Sequence, residues 1–429
     1  MAAEFALLGL LLAGYALLAV RLERISIGPA VAFVIIGFVG ASEAFGFISI
    51  EPTAEPVRLL AEGALALLLF ADASEIRSRA LRHDVAIVLR LLLIGLLLTI
   101  VVGTTAALLL FPGISLGIAL LIGSALAPTD AALGQPVVTN PSVPARVRRL
   151  LNVESGLNDG IATPFVFVAI GLASAEAHGY SGWVQDAAVD FAIGAVVGAV
   201  LGFVGGWLLE RATSRGWTSR SSRQLFVLAL AASCYLGAVA LSGNGFIAAF
   251  IGGLAFGAGS RQLEERAVRF TETQGSLLAI GVWAAFGMVL AGEIGTSLWN
   301  PAVLLYAVLS LTVLRMIPVA LALFGTRLNR LTVLFMGWFG PRGLASIVFL
   351  IIGIEGLHEA GIDPGPTAGV IAWTVLLSVV LHGLSAGPFA RRYGEFANRL
   401  PSDAPELTDT VEPLAHRVTW QIGTDHVEA

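Results

Sequence analysis

Thirteen apolar runs, each close to the length that crosses a bilayer as a helix, follow one another along this chain. They lie at about 4–20, 26–41, 55–74, 84–110, 114–138, 145–171, 183–208, 223–242, 244–259, 273–291, 299–324, 331–354 and 367–389. A spanning helix needs roughly 17–25 apolar residues. In hydrocarbon, only a helix or a closed barrel satisfies its own backbone. Charged residues make up 13% of the 429, against about 25% in a soluble domain. The expected fold class is therefore an all-α polytopic membrane protein of about 13 transmembrane helices. The first run, "EFALLGLLLAGYALLAV", has no basic segment before it and no small-residue cleavage site after it, so it reads as a retained helix.

Every basic residue is arginine; the chain has no lysine. The connections "RLER", "EIRSRALRH", "PARVRR", "ERATSRGWTSRSSR", "SRQLEERAVR" and "TRLNR", with the tail, hold 21 of the 25 arginines. The alternate connections, such as "SEAFGFISIEPTAE" and "GLHEAGIDPGPT", hold none. Cytoplasmic loops carry the basic excess, so the N-terminus is expected outside and the C-terminus in the cytoplasm, within a cell membrane. Residues 393–429 are polar and rich in turn-formers, and read as a short mobile tail after a membrane domain at 1–392. The single cysteine, Cys234, excludes an internal disulfide and a cysteine-clustered metal site.

Two runs are interrupted. The fifth contains "SALAPTDAALGQP" and the twelfth "MGWFGPRGLAS". Proline removes a backbone donor and clashes with the preceding turn, so both helices should open there. They are seven places apart in the order of spans, an odd number, so they run in opposite directions. Paired broken helices of opposite orientation point to an inverted repeat with a substrate site at its centre.

The stretch "NVESGLNDG" (152–160) places polar residues inside the sixth run. Ten residues from Arg149 to Asp159 make about 15 Å of helix, which puts Asp159 near the bilayer midplane. Ser155 and Asp159 share one stripe, and Glu154 and Asn158 the next. A mid-membrane acid costs at least roughly 2.5–3.5 kcal/mol, so two acids with polar neighbours imply function; a polar helix–helix clamp is the competing reading. Asp130 lies where the fifth span opens, beside the freed carbonyl of Thr129, and could also serve as the cap of the half-helix that follows. Carboxylate, carbonyl and hydroxyl oxygens together suit a hard cation. Asp72, in "LLLFADASEIR", is expected to act as a ligand or in an access funnel, or else as an ordinary interfacial acid. Glu62 should pair with Arg58 one turn away. Arg315 and Arg342 sit in the eleventh and twelfth spans and need buried counter-charge; Glu154 is the natural partner of either or both.

Two neighbouring carboxylates in a semi-dry cavity repel each other, and burial adds to the cost of their charge. Either a proton or a monovalent cation relieves the same carboxylate, so the two should compete. Competition with alternating access is coupled exchange. Without lysine no buried ammonium supplies a second exchangeable proton, which argues for one proton per cation.

The motifs "LLLFADAS", "APTDAALG", "NVESGLNDG", "LRMIPVAL" and "GPRGLAS", in this order, resemble the sodium/proton exchangers of the cation:proton antiporter superfamily, in their electroneutral NhaP-type branch. The pair Asn158–Asp159 is similar to that branch's signature. The resemblance implies that Asp130 and Asp159 hold the transported ion, with Thr129, Ser155, Asn158 and Asp72 around it. It implies a structural ion pair between Glu154 and a buried arginine, a core domain with crossed broken helices beside a dimerisation domain, and a homodimer. It implies no cofactor apart from the transported Na+ (or Li+) and H+, and no nucleic-acid partner. A potassium/proton exchanger on the same scaffold, a cation-coupled symporter, a channel and an intramembrane aspartyl protease are the other readings.

Overall fold

A computed structural model of the protein describes residues 2–24, 27–41, 46, 55–75, 84–260, 265–293 and 300–408. The described residues form helices and their connections. In chain order the helices are α1 (Ala2–Arg24), α2 (Pro29–Ala41), α3 (Glu55–Ser74), α4 (Val85–Arg90), α5 (Leu97–Leu110), α6 (Leu116–Ala125), α7 (Ala131–Val138), α8 (Ala145–His178) and α9 (Trp183–Ser214). There follow α10 (Arg220–Ala240), α11 (Gly245–Gly259), α12 (Glu265–Glu293), α13 (Pro301–Leu311), α14 (Val313–Ala322), α15 (Arg330–Trp338), α16 (Leu344–Glu359) and α17 (Thr367–Ala397).

All thirteen expected runs are helical. Nine are single helices; the fourth, fifth, eleventh and twelfth are each divided. The fifth and twelfth open where proline and glycine forecast it, at 126–130 and 339–343. Two divisions were not forecast. The fourth run passes through a π-helical turn at Leu91–Leu96 between α4 and α5, and the eleventh breaks at Thr312, whose backbone leaves the helical region (φ −118°, ψ −97°). Among the described residues, seven helical stretches, counting 85–110 and 301–322 each as one, are long and apolar enough to cross a membrane on length and composition alone, and the chain is a multi-pass membrane protein.

The helices sort into two packing groups. In a scaffold half, α9 lies along α11, while α12 packs on α2 and α3 and α10 closes against α9, α11 and α12. In a crossing half, α6 packs between α5 and α8, α13 against α17, and α7 against α8 and α17. The two halves meet along a seam where α3, α11 and α12 face α8, α16 and α17.

The expectation of a mobile tail from residue 393 needs correction for its first part. Helix α17 continues to Ala397, with Tyr393 stacked on Phe335 at 4.1 Å between ring centroids. Glu406 is buried and accepts hydrogen bonds from the Asn329 N–H (2.6 Å) and the Thr332 hydroxyl (2.8 Å). Arg146 donates to the Pro405 carbonyl and to the Thr408 hydroxyl (3.2 Å). The acid satisfies the start of α15, so this polar segment is held by the bundle through residue 408. Residues 409–429, and the loops within 42–54, 76–83, 261–264 and 294–299 that bear on the arginine alternation, lie outside the described residues apart from Gly46.

Candidate cation and proton site

The two unwound stretches cross in contact. The Asp130 N–H donates to the Pro341 carbonyl at 2.7 Å. The Asp130 carboxylate then serves both half-helices that begin at the crossing. Its Oδ1 accepts from Ala132 N–H (2.7 Å) and Leu133 N–H (3.2 Å), capping α7. Its Oδ2 accepts from Leu344 N–H (2.7 Å), the first residue of α16. Gly343, at the N-cap position of α16, has no side chain with which to do this. A methyl group on Gly343 would lie 2.2 Å from Asp130 Oδ2, so glycine there permits the approach. Helix N-termini carry partial positive charge, and one buried carboxylate answers two of them.

The opposite charge is placed at a C-terminus. Arg342 is fully buried, and its Nη1 donates to the carbonyls of Ala127 (2.7 Å) and Pro128 (2.9 Å), just beyond α6. Its place in an ion pair with Glu154 is therefore corrected. Unwinding after Ala125 leaves carbonyls without helical donors, and the guanidinium satisfies them. Arg315 is the partner of Glu154, with Nη1 to Oε1 at 2.7 Å and both side chains within 3% of full burial. The break at Thr312 starts α14 and directs Arg315 inward. Gly340 leaves room for its guanidinium, since a methyl group there would meet Arg315 Nε at 2.4 Å.

Helix α8 carries the remaining residues. Thr129 joins its hydroxyl to that of Ser155 at 2.9 Å, and Asn158 Nδ2 donates to the same Thr129 oxygen at 2.7 Å. These bonds bring the Ser155–Asn158–Asp159 face of α8 against the break of the fifth span. Asp159 is 5% exposed and lies one turn beyond Ser155. The buried oxygens Asn158 Oδ1 and Glu154 Oε2 accept no hydrogen bond within the described protein, and buried polar atoms rarely stay so. Asp72 is half-buried, 3.5–3.7 Å from where a Gly156 Cβ would be; it borders the same helix at the rim of the cluster. Glu62 meets Arg58 (3.5 Å), as expected.

Helix α17 supplies residues that the sequence reading missed. Ser378 accepts from the Arg342 N–H at 2.6 Å, and His382 Nε2 contacts the Trp338 carbonyl at 2.9 Å. The Trp338 indole N–H donates to Ser385 at 3.0 Å. One helix thus holds both rims of the unwound stretch 339–343. The polar stripe Ser378, His382, Ser385 inside an apolar run was the available signal.

The family model described as "Sodium/hydrogen exchanger, transmembrane" matches residues 7–392. A "Na(+)/H(+) antiporter" of Saccharomyces cerevisiae is 29% identical over 320 residues, covering 71% of this chain and 32% of that protein. The "Na(+)/H(+) antiporter ApNhaP" of Aphanothece halophytica is 35% identical over 126 residues, covering 29% of this chain and 24% of its own. The match spans 32%, 38% and 48% of the length of three yeast relatives. Among solved structures, the sodium proton antiporter MjNhaP1 from Methanocaldococcus jannaschii superposes with a TM-score of 0.71 at 22% identity, over 89% of this chain and 98% of that one. That likeness shows the fold.

Proposed function

The chain belongs to the sodium/hydrogen exchanger family, and on that premise we propose that it exchanges Na+ for H+ across a cell membrane, one for one, with Li+ as an alternative cargo. The observation that carries the reading is the crossing itself. Two half-helix N-termini meet at Asp130 and one C-terminus at Arg342, and the bonds of Thr129 to Ser155 and Asn158 bring against them the helix face that carries buried Asp159. A hard monovalent cation exchanges its water for carboxylate, hydroxyl and amide oxygens.

In this account Asp130 holds the two half-helices in register and contributes charge, while Asp159, with Ser155, Thr129 and Asn158, takes the cation or the proton. Each neutralises the same carboxylate, so binding of one releases the other. The Glu154–Arg315 pair is internally neutral and keeps the surrounding charge constant through the cycle. Arg342 secures the far end of the break. Asp72 lines the approach. The transported ions are substrates, and the site's carboxylates carry the whole of the coupling.

A cavity of about 710 Å³ reaches Asp130 along the seam, bordered by Gln135 and Thr139 on α7, Gly387 on α17, Leu12 on α1 and Trp283 on α12. It opens toward the side where α7 and α17 end, which the arginine distribution makes the cytoplasmic side. Alternating access then requires the crossing half to move against the scaffold half. A homodimer, and a membrane domain at 1–392 followed by a short tail whose first part packs on the bundle through residue 408, complete the proposal.

Exchange in proteoliposomes, with Na+, Li+ and K+ compared and the membrane potential clamped or free, is the test. Proton flux driven by Na+ and indifferent to the potential agrees with it. Flux driven by K+ alone, or a current under clamp, overturns the ion or the stoichiometry.

A further inference from the structure

The half-helices α7 and α16 both start at the crossing and leave it in opposite directions. The cavity lies on the α7 side. On the α16 side the seam is tied. Arg58, in the first turn of α3, donates through Nη1 to Glu355 Oε1. Glu355 lies eleven residues beyond Leu344, about 16 Å along α16. Arg58 also faces Glu62 on its own helix, and Glu62 accepts from the Tyr235 hydroxyl of α10 at 2.8 Å. The charge of Glu359, one turn on from Glu355, acts on the same guanidinium. The arrangement joins α3 and α10 of the scaffold half to α16 of the crossing half.

We propose that Arg58 and Glu355 form the latch that keeps the α16 side of the seam closed while the cavity on the α7 side gives access to Asp130. A guanidinium holding one acid from each half fits this role, because separating the halves must break the contact that spans them. The side chains are about a third exposed (30% and 27%), so the contact is weak enough to break in a transport cycle. Opening also changes the mouth it leaves. Glu62, Glu355 and Glu359 then share one arginine between separated helices, and a net negative rim concentrates cations. The latch bears on the rate of the exchange proposed above and rests on that reading only there.

Two measurements test it. In a Cys234→Ser background, Thr139→Cys places a thiol in the cavity, and maleimide labelling of the purified protein reads how often that side is open. Adding Glu355→Gln should slow labelling by about two- to fivefold, the size expected of a partly exposed ion pair. The swapped pair Arg58→Glu with Glu355→Arg should restore it. Separately, Arg58→Cys with Glu355→Cys, bridged by a short bis-methanethiosulfonate, should stop exchange in proteoliposomes until dithiothreitol is added. Unchanged labelling in Glu355→Gln, or undiminished exchange in the bridged protein, overturns the latch. Slowed labelling in a protein that exchanges nothing upholds the latch and overturns the exchange reading.

Discussion

The scaffold half and the crossing half are built from similarly apolar helices with close backbone contacts, yet the crossing half adds buried ionic contacts at opened helix ends. In the scaffold half, backbone meets backbone. Gly198, Gly202 and Gly206 recur every fourth residue on α9, and a methyl group on them would lie 2.4, 2.1 and 2.6 Å from the carbonyl oxygens of Ala248, Gly252 and Phe256 on α11. Small residues at this spacing let membrane helices approach closely. In the crossing half, the contacts that matter are ionic: Asp130 on two N-termini, Arg342 on one C-terminus, Glu154 on Arg315. Close packing without charge is indifferent to an ion. A cluster of opened helix ends and carboxylates changes energy whenever a charge arrives or leaves. The comparison teaches that one half can stay fixed while the other responds.

The largest expected effect is on transport alone. Asp159→Asn should abolish exchange, by more than about 100-fold, with an unchanged thermal unfolding midpoint; wild-type turnover in this variant would remove the proposed site. Next comes Glu154→Gln, which leaves Arg315 buried without its counter-charge. Breaking a buried pair costs about 3–5 kcal/mol, so denaturation should show a loss of that order. Adding Arg315→Met should recover part of it, and a double-mutant cycle without coupling would reject the pair.

Asp130→Asn sharpens the contrast between the two aspartates. It should also stop exchange, but in addition it turns an amide NH2 toward one of the N–H groups the carboxylate now satisfies. A loss of about 1–3 kcal/mol in stability, absent in Asp159→Asn, is expected from parallel melts. Equal stability of the two variants would deny Asp130 its capping role. Gly202→Ala probes the other half. Overpacking costs about 1–3 kcal/mol, while the folded protein should exchange at the wild-type rate. Slowed exchange in stably folded Gly202→Ala would mean that the scaffold half does not stay fixed.

What the sequence made legible divides along the same line. Helical runs and proline breaks are written locally, so the residues alone suffice to place thirteen spans and both openings. The acids Asp130, Glu154 and Asp159 declared themselves because charge is expensive in hydrocarbon. Which arginine met Glu154 was not legible, since Arg315 and Arg342 carry the same charge and differ only in where the breaks at Thr312 and Phe339–Gly343 point them. Arg342 went to carbonyls that exist only once the fifth span has opened. Ser378 and His382 were passed over because their partners lie across the fold. Glu406 looked like part of a solvated tail, and its burial depends on the N–H of Asn329, which it pairs across the fold.

The claim on which all of this depends is that a metal cation and a proton displace each other at the aspartates of the crossing. Proton release on Na+ addition to the purified protein, read by a pH dye in weakly buffered solution, tests it most directly. About one proton freed per Na+ bound, and none in Asp159→Asn, is the result predicted. Saturable Na+ binding that frees no proton would contradict it.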